Sequence, residues 1–447
     1  MIPPPLLQNL ALASTLLFAL TGHQHHGAWA QNTTKPTPGE REGGGLHSLF
    51  VKSGKLFFGT AIDTNNFNDV AYQAIAKNGS EFGLYVPENS QKWGPTEPTE
   101  GAFVFAGPDA VDAQARTNKQ MFRCHALTWH SQLPQFVTTT AWTRETLTAA
   151  IQAHITALVR HYAGACYSWD VVNEALNDNG TFRDSVFFRV LGTDFLPISF
   201  AAAAAADPAA KLYYNDFNLE TLRAKADGAA RVVQLIRAGG ARIDGLGFQA
   251  HFVVGGTPSQ ASLTATLGRF VDMGLDVTLS ELDVAHNSVP AAAGALQQQA
   301  RDYVAAVGAC LAVPRCVGIT VWQFSDKYSW IPGTFPGKGE ACLFSANFSR
   351  KPAYGAVVDL LRSAAGVAAA VEVGGGGGGG RRNTSASGSG LGKATGTGVV
   401  VGAAPAATGD AAATEALKSV GVRVGSWRVG SGLGWLVGVV GGFWLLV

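Results

Sequence analysis

Two glutamates stand near the ends of apolar runs, Glu174 in "WDVVNEA" (169–175) and Glu281 in "LSELDV" (279–284). A buried strand accounts for Trp169, Val171 and Val172. It does not account for Asn173 and Glu174, which close the run, or for Asp170 inside it. Other apolar runs end alike, with Glu88 and Asn89, His125 and Trp129, Asn215 and Asp216, Gln249 and His251, Glu281 and Asp283, and Trp322. Gathered in one cleft, these residues suit a sugar polymer. Indole faces stack on pyranose rings, and amides and carboxylates hydrogen-bond hydroxyls. Two carboxyls flanking a glycosidic bond form the acid/base pair that cleaves it. There is no C-x-x-C pair, no other metal-ligand spacing and no Asp/Asn calcium loop, so neither metal nor cofactor is expected.

For these residues to meet, the strands must end on one rim. β-Rich runs occur at 56–62, 81–87, 120–129, 167–174, 211–218, 245–251, 276–282 and 318–324. Between them lie stretches with helical spacing, including 142–161, 221–238, 260–273 and 293–312. Eight strand–helix units over residues 45–366 predict an α/β fold, a single (β/α)8 TIM barrel. In such barrels the C-terminal ends of the strands carry the chemistry. An open doubly wound sheet would place a Gly-rich phosphate loop after its first strand. Here that strand leads into "DTNNFND" (63–69).

The chain has 447 residues, 15% of them charged, with a net charge of +1. That is no polyelectrolyte, and no nucleic-acid partner is expected. Residues 1–30 read as a secretory signal peptide ending at Ala28-Trp29-Ala30, although no Lys or Arg precedes the apolar stretch. His23, His25 and His26 fall within it and are removed with it. Residues 31–44 read as a linker. Sequons at Asn32, Asn78, Asn179, Asn347 and Asn383 mark surface glycosylation candidates. Residues 367–430, which include seven successive glycines (374–380), read as a disordered Gly/Ser-rich linker. The apolar tail 433–447 is short for a span of about 20 residues. It fits a GPI-attachment signal, with Ser419, Gly421, Gly425 and Ser426 as attachment residues. A secreted, extracellular, lipid-tethered monomeric glycoprotein is therefore expected, without a second carbohydrate-binding module.

Five cysteines occur. Cys310 and Cys316 are close enough in "CLAVPRC" for a small disulfide loop in an oxidising compartment. Cys124 and Cys166 read as buried apolar filler. The odd count leaves at least one thiol unpaired.

The segments "PENSQKW" (87–93), "RCHALTWHSQLP" (123–134), "WDVVNEA" (169–175), "LYYNDFNLE" (212–220), "GFQAHF" (247–252), "LSELDV" (279–284) and "GITVWQFSDKYSW" (318–330) resemble glycoside hydrolase family 10, the endo-1,4-β-xylanases. The resemblance runs in order over all eight strands. It implies a retaining enzyme acting on xylan, with Glu174 as proton donor and base and Glu281 as nucleophile. It implies that Asn173 bonds the sugar 2-hydroxyl. Glu88, Asn89, Lys92, His125, Gln132 and Gln249 would line the glycone side, with Trp129, Trp322 and Trp330 as its aromatic walls. His251 would hold Glu281, and Asp170 would hold His251 in turn, with Asp283 beside them. Trp93 and Trp169 read as core. Asn215 and Asp216 either touch the aglycone side or shape its loop.

The chain departs from the family pattern at Gln91, Phe136, Phe217 and Gln323, where Met, Trp, Tyr and Gly are usual. None removes a catalytic group. Gln323 is expected to narrow the floor beside Trp322. Two other readings compete: a glycosidase of the same mechanism acting on other β-1,4-glycans, and an anchored protein that binds polysaccharide without cleaving it.

Overall fold

Eight parallel strands close into a barrel in a computed structural model that describes residues 44–375, Leu222 and Ala293 excepted. The strands are β1 (Phe57–Ile62), β2 (Leu84–Pro87), β3 (Met121–Trp129), β4 (Ser168–Asn173), β5 (Lys211–Asp216), β6 (Gly245–Phe248), β8 (Asp276–Ala285) and β9 (Cys316–Val321); β7 is a short addition (His251–Val253). Each strand pairs with its sequence neighbour from β1 to β6, then β6 with β8, β8 with β9 and β9 with β1. Every residue of β1 and β4 is buried, because the barrel interior covers one face and helices cover the other. This is why "FFGTAI" and "SWDVVN" read as nearly continuous runs rather than alternating ones.

Helices begin where the side chains dictate. Thr143 and Thr146 form a reciprocal capping box at the start of Arg144–His161. Ser259 and Asp69 cap Gln260–Asp272 and Val70–Ala76. Trp169 and Trp93 lie in the core, Trp93 stacked on His154 with ring centroids 4.0 Å apart.

The structure departs from the expected boundaries by up to three residues at several strand ends, as where 81–87 begins at Leu84 and 318–324 becomes Cys316–Val321, and by more at the last helix. The strand expected at 245–251 breaks after Phe248, and Ala250 adopts a φ of 59°. The chain resumes as β7, paired with a β8 that runs on to Ala285. The last helix, Pro352–Gly375, overruns the expected linker boundary at 367. The added segment "VAAAVEV" contains neither Gly nor Pro, so the helix meets no breaker there. The signal peptide, most of the linkers, Asn32, Asn383 and the apolar tail lie outside the described residues.

Cys310 and Cys316 are bonded across a separation of six residues. Cys124 and Cys166, expected as filler, are bonded too, 42 residues apart. Cys124 lies on β3 and Cys166 just before β4, so the bridge ties neighbouring strands across the intervening helix. Sequence distance hides this pair, whereas strand adjacency exposes it. Cys342 is the buried free thiol. Closing the longer loop restricts the unfolded chain more. Replacing Cys124 and Cys166 together is therefore expected to cost about 4 kcal/mol, and replacing Cys310 and Cys316 about 2. Denaturant unfolding of both double variants checks this; an equal or reversed order would overturn it.

Candidate active site

The strand ends converge as expected. Glu174 follows β4 with a φ of 53°. Three donors reach its carboxyl: Trp129 Nε1 (2.9 Å, to Oε2), Gln249 Nε2 (3.0 Å, to Oε1) and Asn173 Nδ2 (3.4 Å, to Oε1). All three are neutral. Glu281, on β8, is buried among charges. His251 Nε2 lies 3.3 Å from its Oε2, and Arg123 Nη2 lies 3.9 Å from its Oε1. Burial alone would raise its carboxyl. The His251 hydrogen bond, with the charges of His125, His251 and Arg123, instead brings it down to about 2.

A bridge of amides links the two carboxyls. Asn215 Nδ2 donates to Glu281 Oε1 (2.7 Å) and to Asn173 Oδ1 (2.8 Å). Gln249 Nε2 donates to the same Asn173 oxygen (3.3 Å) and to Glu174. Asn215 must turn its nitrogen to the carboxylate, so the Asn173 atom facing it is the oxygen. Ser280 Oγ completes the arrangement by donating to Asn215 Oδ1 at 2.5 Å. Gly247 leaves room for it, since a Cβ there would meet Asn215 Oδ1 at 2.3 Å.

Asp170 does not hold His251. Its Oδ2 lies 2.8 Å from His125 Nδ1 and pairs with Arg123. Strand register decides this. His125 on β3 stands opposite Asp170 on β4, and His251 on β7 stands opposite Asp283 on β8. Accordingly His251 Nδ1 lies 3.0 Å from Asp283 Oδ2, which also accepts from Trp330 Nε1 at 2.8 Å. Burial would lower the His251 imidazole, but the charge and hydrogen bonding of Asp283, with Glu281 beyond, push it up to about 10. Residue 251 is thus a cation between two carboxylates.

The remaining expected residues gather beside this pair. Lys92 Nζ donates to Asn89 Oδ1 (2.9 Å) and stands 4.8 Å from the centre of the Trp129 ring. Gln132 Nε2 reaches the same Asn89 oxygen at 3.4 Å. Asp63 Oδ2 accepts from the amides of Asn89 and Ser90, each at 2.8 Å, and fixes that turn. Trp322 packs with Ala61, Val86 and Trp330, edge-on to His125. Asn215 and Asp216 part company: Asn215 holds Glu281, while Asp216 forms a 3.0 Å ion pair with Lys225 and shapes the loop. The Lys225 ammonium sits 3.5 Å from the centre of the Phe217 ring. Gln91 is buried, its Oε1 accepting from the His125 amide at 2.9 Å.

The sequence reading gave no role to Arg123 or Ser280. A charged residue at the head of the otherwise apolar "RCHAL" was the available signal for Arg123; Ser280 carried none.

The glycosyl hydrolase family 10 model matches residues 45–360, most of the chain. This chain belongs to glycosyl hydrolase family 10. Endo-1,4-beta-xylanase 5 of Pyricularia oryzae is 60% identical over 344 residues, covering 77% of this chain and 85% of that protein. Endo-1,4-beta-xylanase 1 of Humicola insolens is 50% identical over 317 residues, covering 71% and 74%. Among solved structures, the Penicillium canescens endo-1,4-beta-xylanase XylE superposes with a TM-score of 0.69 at 41% identity, covering 71% of this chain and 98% of its own. The family 10 barrel thus accounts for the fold, and the amide bridge lies at its C-terminal rim.

The ionisation pattern has a sign that can be tested. Glu281 titrates below its ordinary value of 4.5, so its contribution to stability is present above that pH and lost as pH falls through about 2. His251 titrates above 6.5, so its contribution is full below that pH and lost as pH rises through about 10. In His251→Asn the cation is gone and the Glu281 carboxyl rises. The acid limb of kcat/KM is expected to move up by about one pH unit or more. An unmoved limb would show that His251 does not keep Glu281 ionised.

Proposed function

We propose that this protein is a secreted retaining endo-1,4-β-xylanase, hydrolysing internal β-1,4-xylosidic bonds of xylan by double displacement. One observation carries the reading. Glu174 and Glu281 share a bridge of amides, yet Glu281 is flanked by cations while Glu174 receives only neutral donors. One carboxyl is therefore held ionised, as a nucleophile must be, which leaves the acid/base role to the other.

In the first step Glu281 attacks the anomeric carbon, and Glu174 gives its proton to the departing oxygen. The product is a glycosyl ester on Glu281 with its charge removed. Glu174, now a carboxylate, takes a proton from water as the water attacks the ester carbon. Both enzyme groups return to their starting states, and two inversions give net retention. Asn173 bonds the sugar 2-hydroxyl, an interaction that strengthens in the oxocarbenium-like transition state. Glu88, Asn89, Lys92, His125, Gln132 and Gln249 line the glycone side between Trp129, Trp322 and Trp330. The close walls leave little room beyond C5, favouring a pentose over a hexose. Asp283 orients His251, and Asp170 orients His125.

The names of the relatives support xylan as substrate. The signal-like N-terminus supports secretion, and the apolar C-terminus after a polar spacer supports a GPI tether. Asn78, Asn179 and Asn347 are exposed, as glycan acceptors must be. The test is reducing-end release from xylan and, separately, from carboxymethylcellulose, with proton NMR of the first product. Xylan cleavage giving the β-anomer is expected. Cleavage of cellulose alone would change the substrate, and an α-anomer first would change the mechanism.

A further inference from the structure

Gln323 follows the wall residue Trp322 with a φ of 71°, in the left-handed region that non-glycine residues seldom adopt. It is fully buried, and both ends of its amide are engaged. Its Oε1 accepts from the Tyr72 hydroxyl at 2.7 Å, and its Nε2 donates to Glu88 Oε2 at 2.7 Å. Tyr72 comes from the helix Val70–Ala76, is itself fully buried, and stacks on Phe324 with centroids 4.4 Å apart. An amide oxygen can only accept. The Tyr72 hydroxyl therefore sets which way the amide points and turns its N–H towards Glu88. Glu88 Oε1 has no protein hydrogen-bond partner among the described residues, which leaves it for a sugar hydroxyl.

We propose that Gln323, braced by Tyr72, is a positioning residue that orients the Glu88 carboxyl towards the glycone-side sugar and so sets KM rather than kcat. The proposal rests on the reading of Glu88 as a glycone-side residue. The left-handed backbone is the cost of placing an amide there, and two buried hydrogen bonds offset it. The charges around Glu88 make the brace matter. Burial, with Asp63 and Glu281 adding to it, outweighs the Gln323 bond and the Lys92 charge and leaves its carboxyl raised to about 7. Tyr72 is held far above its ordinary value by burial and stays a donor. Without the Gln323 N–H, the carboxyl loses a donor that favours its charged form.

The test is steady-state kinetics on a linear xylo-oligosaccharide for the parent, Gln323→Gly, Tyr72→Phe and Glu88→Gln, with thermal midpoints. Glycine suits a φ of 71° and removes the whole side chain without straining the backbone, and the thermal midpoint reports any packing loss. Gln323→Gly is expected to raise KM about tenfold near pH 6 with kcat within about twofold, the difference shrinking as pH rises past about 8. Tyr72→Phe should raise KM in the same direction by less, and Glu88→Gln should raise it most. Parent turnover of the oligosaccharide reports on the underlying xylanase reading separately. Unchanged KM in Gln323→Gly overturns the proposal, as does a fall in kcat alongside the thermal midpoint. Unchanged KM in Glu88→Gln overturns it at its root.

Discussion

Glu281→Ala is expected to leave a folded barrel whose kcat on xylan is lower by roughly five orders of magnitude. On the proposed double displacement the variant removes the carboxylate that forms the covalent ester, and water cannot take its place without a base on the same face. The fold should tolerate the change because each neighbour keeps another partner. His251 keeps Asp283, Asn215 keeps Asn173 and Ser280, and Arg123 keeps Asp170. The thermal midpoint should therefore shift by only a few degrees. Glu174→Ala makes the contrast. It too should lose xylan, whose leaving group needs a proton. It should still release one equivalent of an acidic phenol in a rapid burst from an aryl xyloside, because that leaving group needs none, while later turnovers slow for want of the base that activates water. Substantial xylan turnover by Glu281→Ala, or no phenol burst from Glu174→Ala, would mean the two roles are misassigned.

Much of the barrel was legible because its signals are local. Fully buried strands such as "SWDVVN" and capped amphipathic helices such as Arg144–His161 announce themselves within a dozen residues. Polar residues at strand ends announce a rim, which is why Glu174, Glu281, Asn173 and Gln249 could be picked out without coordinates. What stayed hidden depends on which residues stand opposite one another. The partner of Asp170 is set by the register of β3 on β4, and that of His251 by a three-residue strand reached after a break at Ala250. No pattern along the chain carries those registers. The Cys124–Cys166 bond was missed for the same reason. The role of Asn215 stayed open between the aglycone side and its loop because its function lies in a 2.7 Å contact with a carboxylate two strands away.

Asp170→Ala should carry the largest stability cost, because it strands a buried cation. Arg123 and Asp170 are 2% and 1% exposed, and the pair lies between the neighbouring strands β3 and β4. Removing one partner of such a pair costs about 3–5 kcal/mol, most of it the desolvation of the charge left behind. His125 loses its Nδ1 contact at the same time, so the side chain edge-on to Trp322 is no longer fixed. The double variant Arg123→Met with Asp170→Leu separates the two effects. A buried ion pair exchanged whole for apolar side chains is often near neutral in stability, so the thermal midpoint should recover most of its loss. Activity should not. Arg123 also donates to the Ser280 carbonyl at 2.6 Å and lies 3.9 Å from Glu281, so its charge helps keep that carboxyl ionised. The double variant should therefore melt close to the parent yet turn over xylan at least about tenfold more slowly, with its acid limb moved to higher pH. If activity returned with stability, the Arg123–Asp170 pair would be a brace for the barrel wall with no part in setting the charge of Glu281.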